Sequence, residues 1–289
     1  MSRKKHHAVS TAQKKRKALA AREKKARRRE RRAASRTPAE VAQFLAKAGV
    51  VKQLPEAAWR KSLVDRFGSD GQKVIDQLHS DSDDDSTSDF YSAKAASLDL
   101  ALAANSQCFG GHYEAFLSWM VRAGFHPSKC VLEVGCDIGV LTCFYAEHFP
   151  QAQVVGIDRC KKSIDCARQL AERLHLRNVQ FHYADVRQLP EDLANQKFDL
   201  ITSTCVACFM GHFWGGLSRC IEDTLARPIR PGILAYTKML SSLLDDQRGK
   251  LITFEQFHDV DELAIWVRAL NDAGVGVDCN MADFLEYKS

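Results

Sequence analysis

Short apolar runs that alternate with amphipathic helices in the second half of the chain constrain its fold more than any other feature. Between two of these runs, apolar residues recur at helical intervals from Ile164 to Leu174, which predicts a helix with one face packed on a sheet. Alternating strands and helices favour a parallel sheet with right-handed crossovers, so we predict a doubly wound, mostly parallel α/β domain. A helix near Asp261–Asn271 and a strand near Val275–Cys279 would complete the edge of the sheet. The other predicted strands are Cys130–Val134, Gln153–Ile157, Val179–Tyr183, Phe198–Thr202 and Ile233–Thr237.

The residues directly after these strands carry the candidate chemistry, because ligands of doubly wound sheets bind outside the carboxyl ends of the strands. Gly135 and Gly139 follow the first strand, where they allow a tight turn and a close approach of the backbone to a ligand. Asp158 ends the second strand, where a carboxylate can accept hydrogen bonds from a ribose diol. Asp185 follows the third strand, where it can accept a hydrogen bond from an exocyclic amine. Each feature alone has a structural explanation as a turn or a cap, but the set favours a cofactor that contains a nucleoside.

Four segments resemble, in order and spacing, the motifs of class I S-adenosylmethionine-dependent methyltransferases. The resemblance covers roughly residues 108–280. It implies a Rossmann-like fold, S-adenosylmethionine as the cofactor and methyl transfer as the activity. The four segments are Glu133 to Gly139, Val154 to Asp158, Tyr183 to Val186 and Phe198 to Ile201.

The resemblance also implies a set of cofactor-binding residues. The loop from Glu133 to Gly139 would surround the methionine moiety, Asp158 would bind the ribose hydroxyls, and Asp185 with Val186 would lie beside the adenine. Ser203 and Thr204 would face the methyl group or the substrate. Asp137 departs from the family pattern, since it stands where the family often has a middle glycine and a side chain there can crowd the cofactor. The implied cofactor-binding residues are Glu133, Gly135, Cys136, Asp137, Gly139, Asp158, Arg159, Asp185, Val186 and Ser203.

Other cofactor classes and a metal site fit the sequence less well. The third glycine of the dinucleotide fingerprint G-x-G-x-x-G is missing, and so is the glycine–lysine–serine/threonine ending of a phosphate-binding loop. No metal is predicted, because the only residues with part of the spacing of a zinc site are irregular: Cys205, Cys208, His212 and Cys220. No catalytic residue is assigned, since methyl transfer needs mainly alignment and a general base is optional. His112 is interpreted as a surface or packing residue that can enter the pocket.

Charge divides the chain into a basic tail and an acidic remainder. Residues 1–36 contain 16 Lys and Arg against two Glu, a net charge of +14, whereas the remainder carries −9. Such a tail is predicted to be disordered and to bind polyanions, with RNA or a ribonucleoprotein as the preferred partner. A solubility tail, or a tail that pairs with the chain's own acidic segment, is the alternative. In a nucleated cell the same segment also resembles a nuclear or nucleolar signal.

The rest of the chain is predicted to fall into three parts. Residues 37–79 form a small helical module, residues 80–89 an acidic linker, and residues 90–289 the methyltransferase domain. No window approaches eighteen consecutive apolar residues and no secretory signal is evident, so the protein is predicted to be intracellular, either cytoplasmic or nuclear and nucleolar.

We therefore predict in-line transfer of a methyl group from S-adenosylmethionine to an acceptor, with RNA or a ribonucleoprotein preferred. One alternative is a small-molecule methyltransferase whose tail serves localisation. Another is a non-enzymatic nucleic-acid or ribosome-associated module with a degenerate cofactor site, for which Asp137 is the main argument. The modified atom and the oligomeric state are not predicted.

Overall fold

Five parallel strands form the central sheet of the computed structural model, which describes residues 37–78, 86–127, 129–206, 229–255, 257 and 260–277. The strands lie in the order β3-β2-β1-β4-β5 and every neighbouring pair is parallel. The predicted doubly wound α/β fold is thus confirmed. The strands are β1 (Cys130–Val134), β2 (Gln153–Asp158), β3 (Val179–Tyr183), β4 (Leu200–Thr204) and β5 (Lys250–Phe254).

Helices cover both faces of the sheet. Helices α1 and α5 to α8 contribute to one apolar layer, and α9 to α11 contribute to the other. Among the described residues the helices are α1 (Ala39–Ala48), α2 (Glu56–Phe67), α3 (Ser69–Gln77), α4 (Ser86–Lys94), α5 (Leu98–Cys108), α6 (Gly110–Ala123), α7 (Val140–His148), α8 (Lys161–Arg173), α9 (Glu191–Ala194), α10 (Pro231–Leu243) and α11 (Val260–Asp272). None of these described helices is long and apolar enough to cross a membrane.

Strand β1 occupies the centre of the sheet and fixes the position of the candidate site. Val131 lies beside Val154 of β2 and Leu200 of β4, and all three side chains are buried. Because the strands are parallel, their carboxyl ends meet at one edge of the sheet. The strand order changes direction between β1 and β4, which is where a doubly wound sheet opens a crevice for a ligand.

One predicted strand is wrong. Residues 233–237 belong to helix α10, because Pro231 starts a helix whose buried Ile233, Tyr236, Leu240 and Leu243 follow a helical period. Strand β5 instead forms farther along the chain. The strand predicted near Val275–Cys279 is not formed at residues 275–277, and its last two residues lie outside the described part. The other four predicted strands and the helix near Asp261–Asn271 are present within two residues of their predicted bounds.

The N-terminal helices do not pack as one separate module. Helix α1 joins the main core, where Phe44 contacts Phe144 of α7 with ring centroids 5.1 Å apart. Helices α2 and α3 form a smaller cluster with α4 and α5, built around Trp59, Leu63 and Leu100. The end of the predicted acidic linker is helical, because α4 begins at Ser86. Residues 79–85 and the basic tail, residues 1–36, lie outside the described residues.

Candidate active site

A cavity of about 280 Å³ lies at the carboxyl edge of the sheet, at the crevice between β1 and β4. This volume is close to the lower end of the range for small-ligand sites, roughly 300 to 1,000 Å³. Residues from the ends of β1, β2 and β4 form one wall, and residues from helices α4 and α6, with Phe109 between α5 and α6, form the facing helical wall. The predicted site residues in its described lining are Glu133, Gly135, Cys136, Asp137, Asp158, Arg159, Asp185 and Val186.

The turn after β1 requires glycine at Gly135 and at Gly139, for different reasons. Gly135 has φ +73°, and a Cβ there would lie 2.3 Å from Cγ2 of Val206. Gly139 has φ +77° and precedes the first residue of α7, where a Cβ would lie 2.8 Å from the ring of Phe181. The described cavity lining includes Gly135 but not Gly139. Gly139 has a role in packing against Phe181 and in starting α7, and its contact with the cofactor stays a prediction.

Asp158 is the acidic residue at the end of β2, and both of its carboxylate oxygens accept backbone hydrogen bonds. The N–H of Asp137 donates to Oδ2 at 2.8 Å, and the N–H of Cys160 donates to Oδ1 at 2.7 Å. Burial, together with the charge of Asp137, raises the pKa of Asp158 to about 6. The carboxylate lines the cavity and each oxygen keeps a further lone pair, so it can accept hydrogen bonds from a diol.

Glu133 lies at the base of the cavity and is fully enclosed. Its Oε2 accepts a hydrogen bond from the hydroxyl of Thr142 on α7. Burial raises its pKa to about 8, and the negative charges of Asp137 and Asp158 add to that shift. At pH 7 the Glu133 side chain is therefore mostly protonated, while a cation placed in the cavity would favour its ionised form.

Asp137 holds a left-handed backbone conformation with φ +47°, although it is not a glycine. Its carboxylate accepts hydrogen bonds from Ser163 at 3.1 Å, from Asn105 at 2.7 Å and from Lys94 at 2.5 Å. The side chain lines the cavity, as the family pattern implies, and three donors from α4, α5 and α8 fix its position. The residue that the sequence marks as a departure is thus one of the best-anchored side chains of the site.

Asp185 and Val186 follow β3 and line the far end of the cavity. The guanidinium of Arg187 donates to both carboxylate oxygens of Asp185, with distances from 2.5 to 3.1 Å. This contact holds the pKa of Asp185 below its usual value. Arg187, which the sequence analysis did not select, also lines the cavity, as does the exposed Arg159.

Ser203 is the predicted cofactor-binding residue at the end of β4, and its side chain points away from the described cavity. Its hydroxyl lies 2.8 Å from the hydroxyl of Tyr236 and donates to Glu255 at 2.9 Å, and the described cavity lining does not include it. The reason is the alternation of side chains along β4, which sends Ser203 and Thr204 to opposite faces. Thr204 does line the cavity. Its Oγ1 is buried and has no hydrogen-bond partner among the residues that the structure describes.

The helical wall was largely missed by the sequence analysis. It consists of aromatic side chains and His112, whose ring lies 5.9 Å from that of Phe254 at the end of β5. Burial lowers the pKa of His112, so the imidazole is neutral at pH 7. Nothing in the sequence of α6 shows that its apolar face closes a cavity. The aromatic members of the described lining are Tyr91, Phe109, Tyr113, Phe116 and Phe254.

The alternative zinc site has one described member, Cys205, which lines the cavity. Cys208, His212 and Cys220 lie outside the described residues. Within the part of the chain that the structure describes, no group of three or more metal-ligating side chains comes together.

Comparison with known families identifies the domain. A family described as "Methyltransferase domain" matches residues 125–234. The chain contains a class I methyltransferase domain. The resemblance stated from the motifs is thus confirmed, and S-adenosylmethionine is the cofactor of this class.

Curated relatives of the methyltransferase domain act on different acceptors. A malonyl-[acyl-carrier protein] O-methyltransferase from Acetivibrio thermocellus is 27% identical over 107 residues, which are 37% of this chain and 34% of that protein. A tRNA (guanine-N(7)-)-methyltransferase from Rubrobacter xylanophilus is 41% identical over 58 residues, 20% of this chain and 26% of that protein. The chain therefore spans about a third or less of the length of the curated relatives it matches. Among solved structures, magnesium protoporphyrin IX methyltransferase from Synechocystis with bound SAM has a TM-score of 0.42 at 19% identity, over 76% of this chain and 88% of that one.

The residues of the methyltransferase domain fit S-adenosylmethionine. The cofactor carries a sulfonium and an ammonium, and the sheet side of the cavity supplies the carboxyl groups of Glu133, Asp137 and Asp158. Val206 lies too close to Gly135 for a Cβ at that position. The turn therefore presents backbone, and no side chain, to the cofactor at Gly135. The unpartnered hydroxyl of Thr204 offers a hydrogen bond at the opposite side of the crevice.

Proposed function

We propose that this protein transfers a methyl group from S-adenosylmethionine to an acceptor that binds against the helical wall of the cavity. The observation that carries this proposal is Asp158, a partly buried carboxylate held by two backbone N–H groups at the carboxyl end of β2. It faces a cavity at the point where the strand order changes direction.

Each side of the cavity has a distinct task. Asp158 accepts hydrogen bonds from the ribose hydroxyls, and the acidic turn after β1 attracts the positively charged methionine moiety. When bound, the cofactor supplies an activated methyl group on a sulfonium. The protein needs to align the acceptor with that group and to exclude water, and the aromatic rings of the helical wall do both.

His112 is the candidate proton acceptor. Its neutral imidazole lines the cavity and can take a proton from an acceptor hydroxyl or amine as the new bond forms. The flat rings of Tyr91, Phe109 and Phe254 complement a planar acceptor.

RNA or a ribonucleoprotein is the acceptor class that we favour. Support comes from the net charge of +14 in residues 1–36, which suits the phosphate backbone, and from aromatic walls that suit an unstacked base. The same aromatic walls also favour a second candidate, a small planar molecule, with the tail acting as a localisation signal. We propose an intracellular location for both.

Calorimetric titration of the full chain with S-adenosylmethionine and S-adenosylhomocysteine tests the cofactor site. Saturable binding that Asp158→Ala abolishes is expected, whereas the exposed control Asp192→Ala binds like wild type. A folded wild-type protein that binds neither compound contradicts the proposal and favours a degenerate, non-enzymatic module.

Transfer of tritiated methyl groups tests the acceptor. With total cellular RNA we expect salt-dependent labelling that falls when residues 1–36 are deleted. Labelling of small phenols or amines that is unaffected by the deletion, without labelling of RNA, would favour the small-molecule alternative.

A further inference from the structure

A lysine ammonium lies buried behind the cofactor turn. Lys94 is the last residue of α4 and its side chain has no exposed surface. Its Nζ lies 2.5 Å from Oδ2 of Asp137 and 2.6 Å from Oδ1 of Asn105. The ring of Tyr91 lies 4.6 Å from the same ammonium. A lysine is almost never buried to this extent without a partner, so the pair with Asp137 determines whether the ammonium is tolerated there.

Asp137 connects this ammonium to the acid at the end of β2. Its side chain receives hydrogen bonds from Lys94 on α4 and Asn105 on α5, and its backbone N–H donates to Oδ2 of Asp158 at 2.8 Å. A residue with φ +47° is held in this conformation only when its surroundings stabilise it. The contacts of the Asp137 side chain therefore determine how that N–H is oriented. The N–H provides one of the two hydrogen bonds that hold Asp158.

We propose that Lys94 is a positioning residue for the cofactor: its ion pair with Asp137 fixes the turn after β1 and thereby presents Asp158 to the ribose. This inference rests on the proposed function. It makes α4 and α5 part of the cofactor site, although Lys94 and Asn105 both precede the segment that matches the methyltransferase family, residues 125–234.

Loss of the ammonium has two physical consequences. The partly buried carboxylate of Asp137 keeps its hydrogen bonds from Asn105 and Ser163 but loses its countercharge, which is unfavourable. It also adds an uncompensated negative charge beside Asp158, which disfavours ionisation of the carboxylate that accepts the ribose hydrogen bonds. Removal of both partners avoids these penalties, because glycine adopts the left-handed conformation without strain and a methionine fills the space of the lysine stem.

The test is a double-mutant cycle in the full chain, measured by calorimetric titration with S-adenosylmethionine. Lys94→Met is expected to weaken binding by about 10- to 100-fold, the range typical of coupled pairs. Asp137→Gly is expected to weaken binding as well, since it leaves the ammonium unpaired. The double variant Lys94→Met with Asp137→Gly still lacks the Asp137 carboxyl group but carries no unpaired charge, so it is expected to bind at least about threefold more tightly than the weaker single variant. Lys61→Met is the matched control, because Lys61 pairs with Asp65 on the exposed face of α2.

A second readout separates positioning from a general loss of structure. The charge of Lys94 lowers the pKa of Asp158, while the charge of Asp137 and burial raise it; Glu133 and Cys136 also face this carboxyl group. Cofactor affinity is expected to fall at acidic pH as Asp158 is protonated. The pH at which this acid limb lies is therefore expected to be higher in Lys94→Met and lower in Asp137→Gly than in wild type. Thermal unfolding without ligand shows whether each variant is folded. If Lys94→Met does not fold, recovery of affinity from Asp137→Gly to the double variant still tests the pair.

Two results would overturn the inference alone: Lys94→Met with the wild-type affinity and acid limb, or a double variant as weak as the weaker single variant. A wild-type protein that binds neither S-adenosylmethionine nor S-adenosylhomocysteine would instead overturn the proposed function, and this inference with it. The two failures are thus distinguishable in the same titrations.

Discussion

The sheet edge and the helical wall that face each other across the cavity differ in charge, in chemistry and in how they are built. The sheet edge carries three carboxyl groups, those of Glu133, Asp137 and Asp158, close to tight backbone turns. The helical wall carries aromatic rings and a neutral His112, and the buried ammonium of Lys94 lies behind it. The contrast agrees with the two proposals: a sheet edge suited to a cationic nucleoside cofactor, and a helical wall suited to the acceptor, with Lys94 supporting the turn from behind.

The largest expected loss of stability and of cofactor binding comes from a substitution in the turn after β1, at the sheet edge. Gly135→Ala places a Cβ 2.3 Å from Val206 at φ +73°, so both a clash and backbone strain oppose it. We expect a loss of about 3 kcal/mol in the free energy of unfolding and no measurable cofactor binding. Urea denaturation and calorimetric titration measure the two effects.

Gly274→Ala is the control for Gly135→Ala. Gly274 has φ +83°, and a Cβ added there would meet nothing within 4 Å among the described residues, so this substitution introduces strain alone. That strain is expected to cost about 1 kcal/mol. Adding Val206→Ala to Gly135→Ala is expected to restore part of the lost stability. Equal losses in Gly135→Ala and Gly274→Ala would show that the contact with Val206 is unimportant.

The sheet edge is also the part that the sequence predicts best. Gly135, Asp158 and Asp185 are recognisable because backbone geometry and strand ends fix their places along the chain. Ser203 does not line the described cavity, because one position along a strand decides which face a side chain takes. The strand predicted at residues 233–237 failed because a short apolar run fits a buried helix as well as a strand.

The contacts of the helical wall could not be predicted from the sequence, for a different reason. Periodicity shows that α6 has an apolar face, but not which cavity that face closes. The partnership of Lys94 with Asp137 joins residues 43 positions apart, and only the tertiary fold brings them into contact. A lysine followed by two alanines at the end of a polar segment gave no signal of burial.

The next largest effect concerns acceptor chemistry on the helical wall. His112→Asn is expected to lower the rate of methyl transfer to total RNA by about 100-fold, because it removes the proton acceptor. Cofactor affinity is expected to stay within about threefold of wild type, since His112 lies across the cavity from the acidic turn. Single-turnover transfer of tritiated methyl groups and calorimetric titration separate the two quantities.

His175→Asn is the matched control for His112. His175 is exposed and has φ +58°, a conformation that asparagine tolerates, so neither rate nor affinity is expected to change. The pH profile gives a further check: protonation of His112 is expected to reduce the wild-type rate at acidic pH, and the Asn variant lacks that limb. An unchanged rate in His112→Asn would show that the acceptor needs alignment only.

A smaller effect tests the buried acid of the sheet edge. The pKa of Glu133 is about 8 in the folded protein, above its ordinary value of 4.5, so the unfolded chain releases a proton that the folded chain keeps. The wild-type free energy of unfolding therefore falls as pH rises between these values, by up to about 1.4 kcal/mol per pH unit from this group. Glu133→Gln lacks that contribution and keeps an acceptor for Thr142.

Denaturation at pH 6 and at pH 7.5 measures this difference. We expect the stability of Glu133→Gln relative to wild type to rise by about 2 kcal/mol over that interval. Glu191→Gln, on the exposed face of α9, is expected to show no such trend. A constant difference between Glu133→Gln and wild type at both pH values would mean that Glu133 is already ionised near neutrality.

The smallest expected effect on stability and cofactor affinity lies at the exposed end of the sheet edge, where Arg187 forms an ion pair with Asp185. An exposed ion pair contributes at most about 1 kcal/mol, so Arg187→Ala is expected to change stability little. If Asp185 accepts a hydrogen bond from the adenine amine, release from Arg187 makes its oxygens more available and tightens cofactor binding by about two- to threefold. Calorimetric titration of Arg187→Ala beside Asp185→Asn decides the matter, because a direct contact predicts opposite changes in the two variants. Weaker binding in both would instead show that the pair acts as one unit, with Arg187 itself forming the edge of the cofactor site.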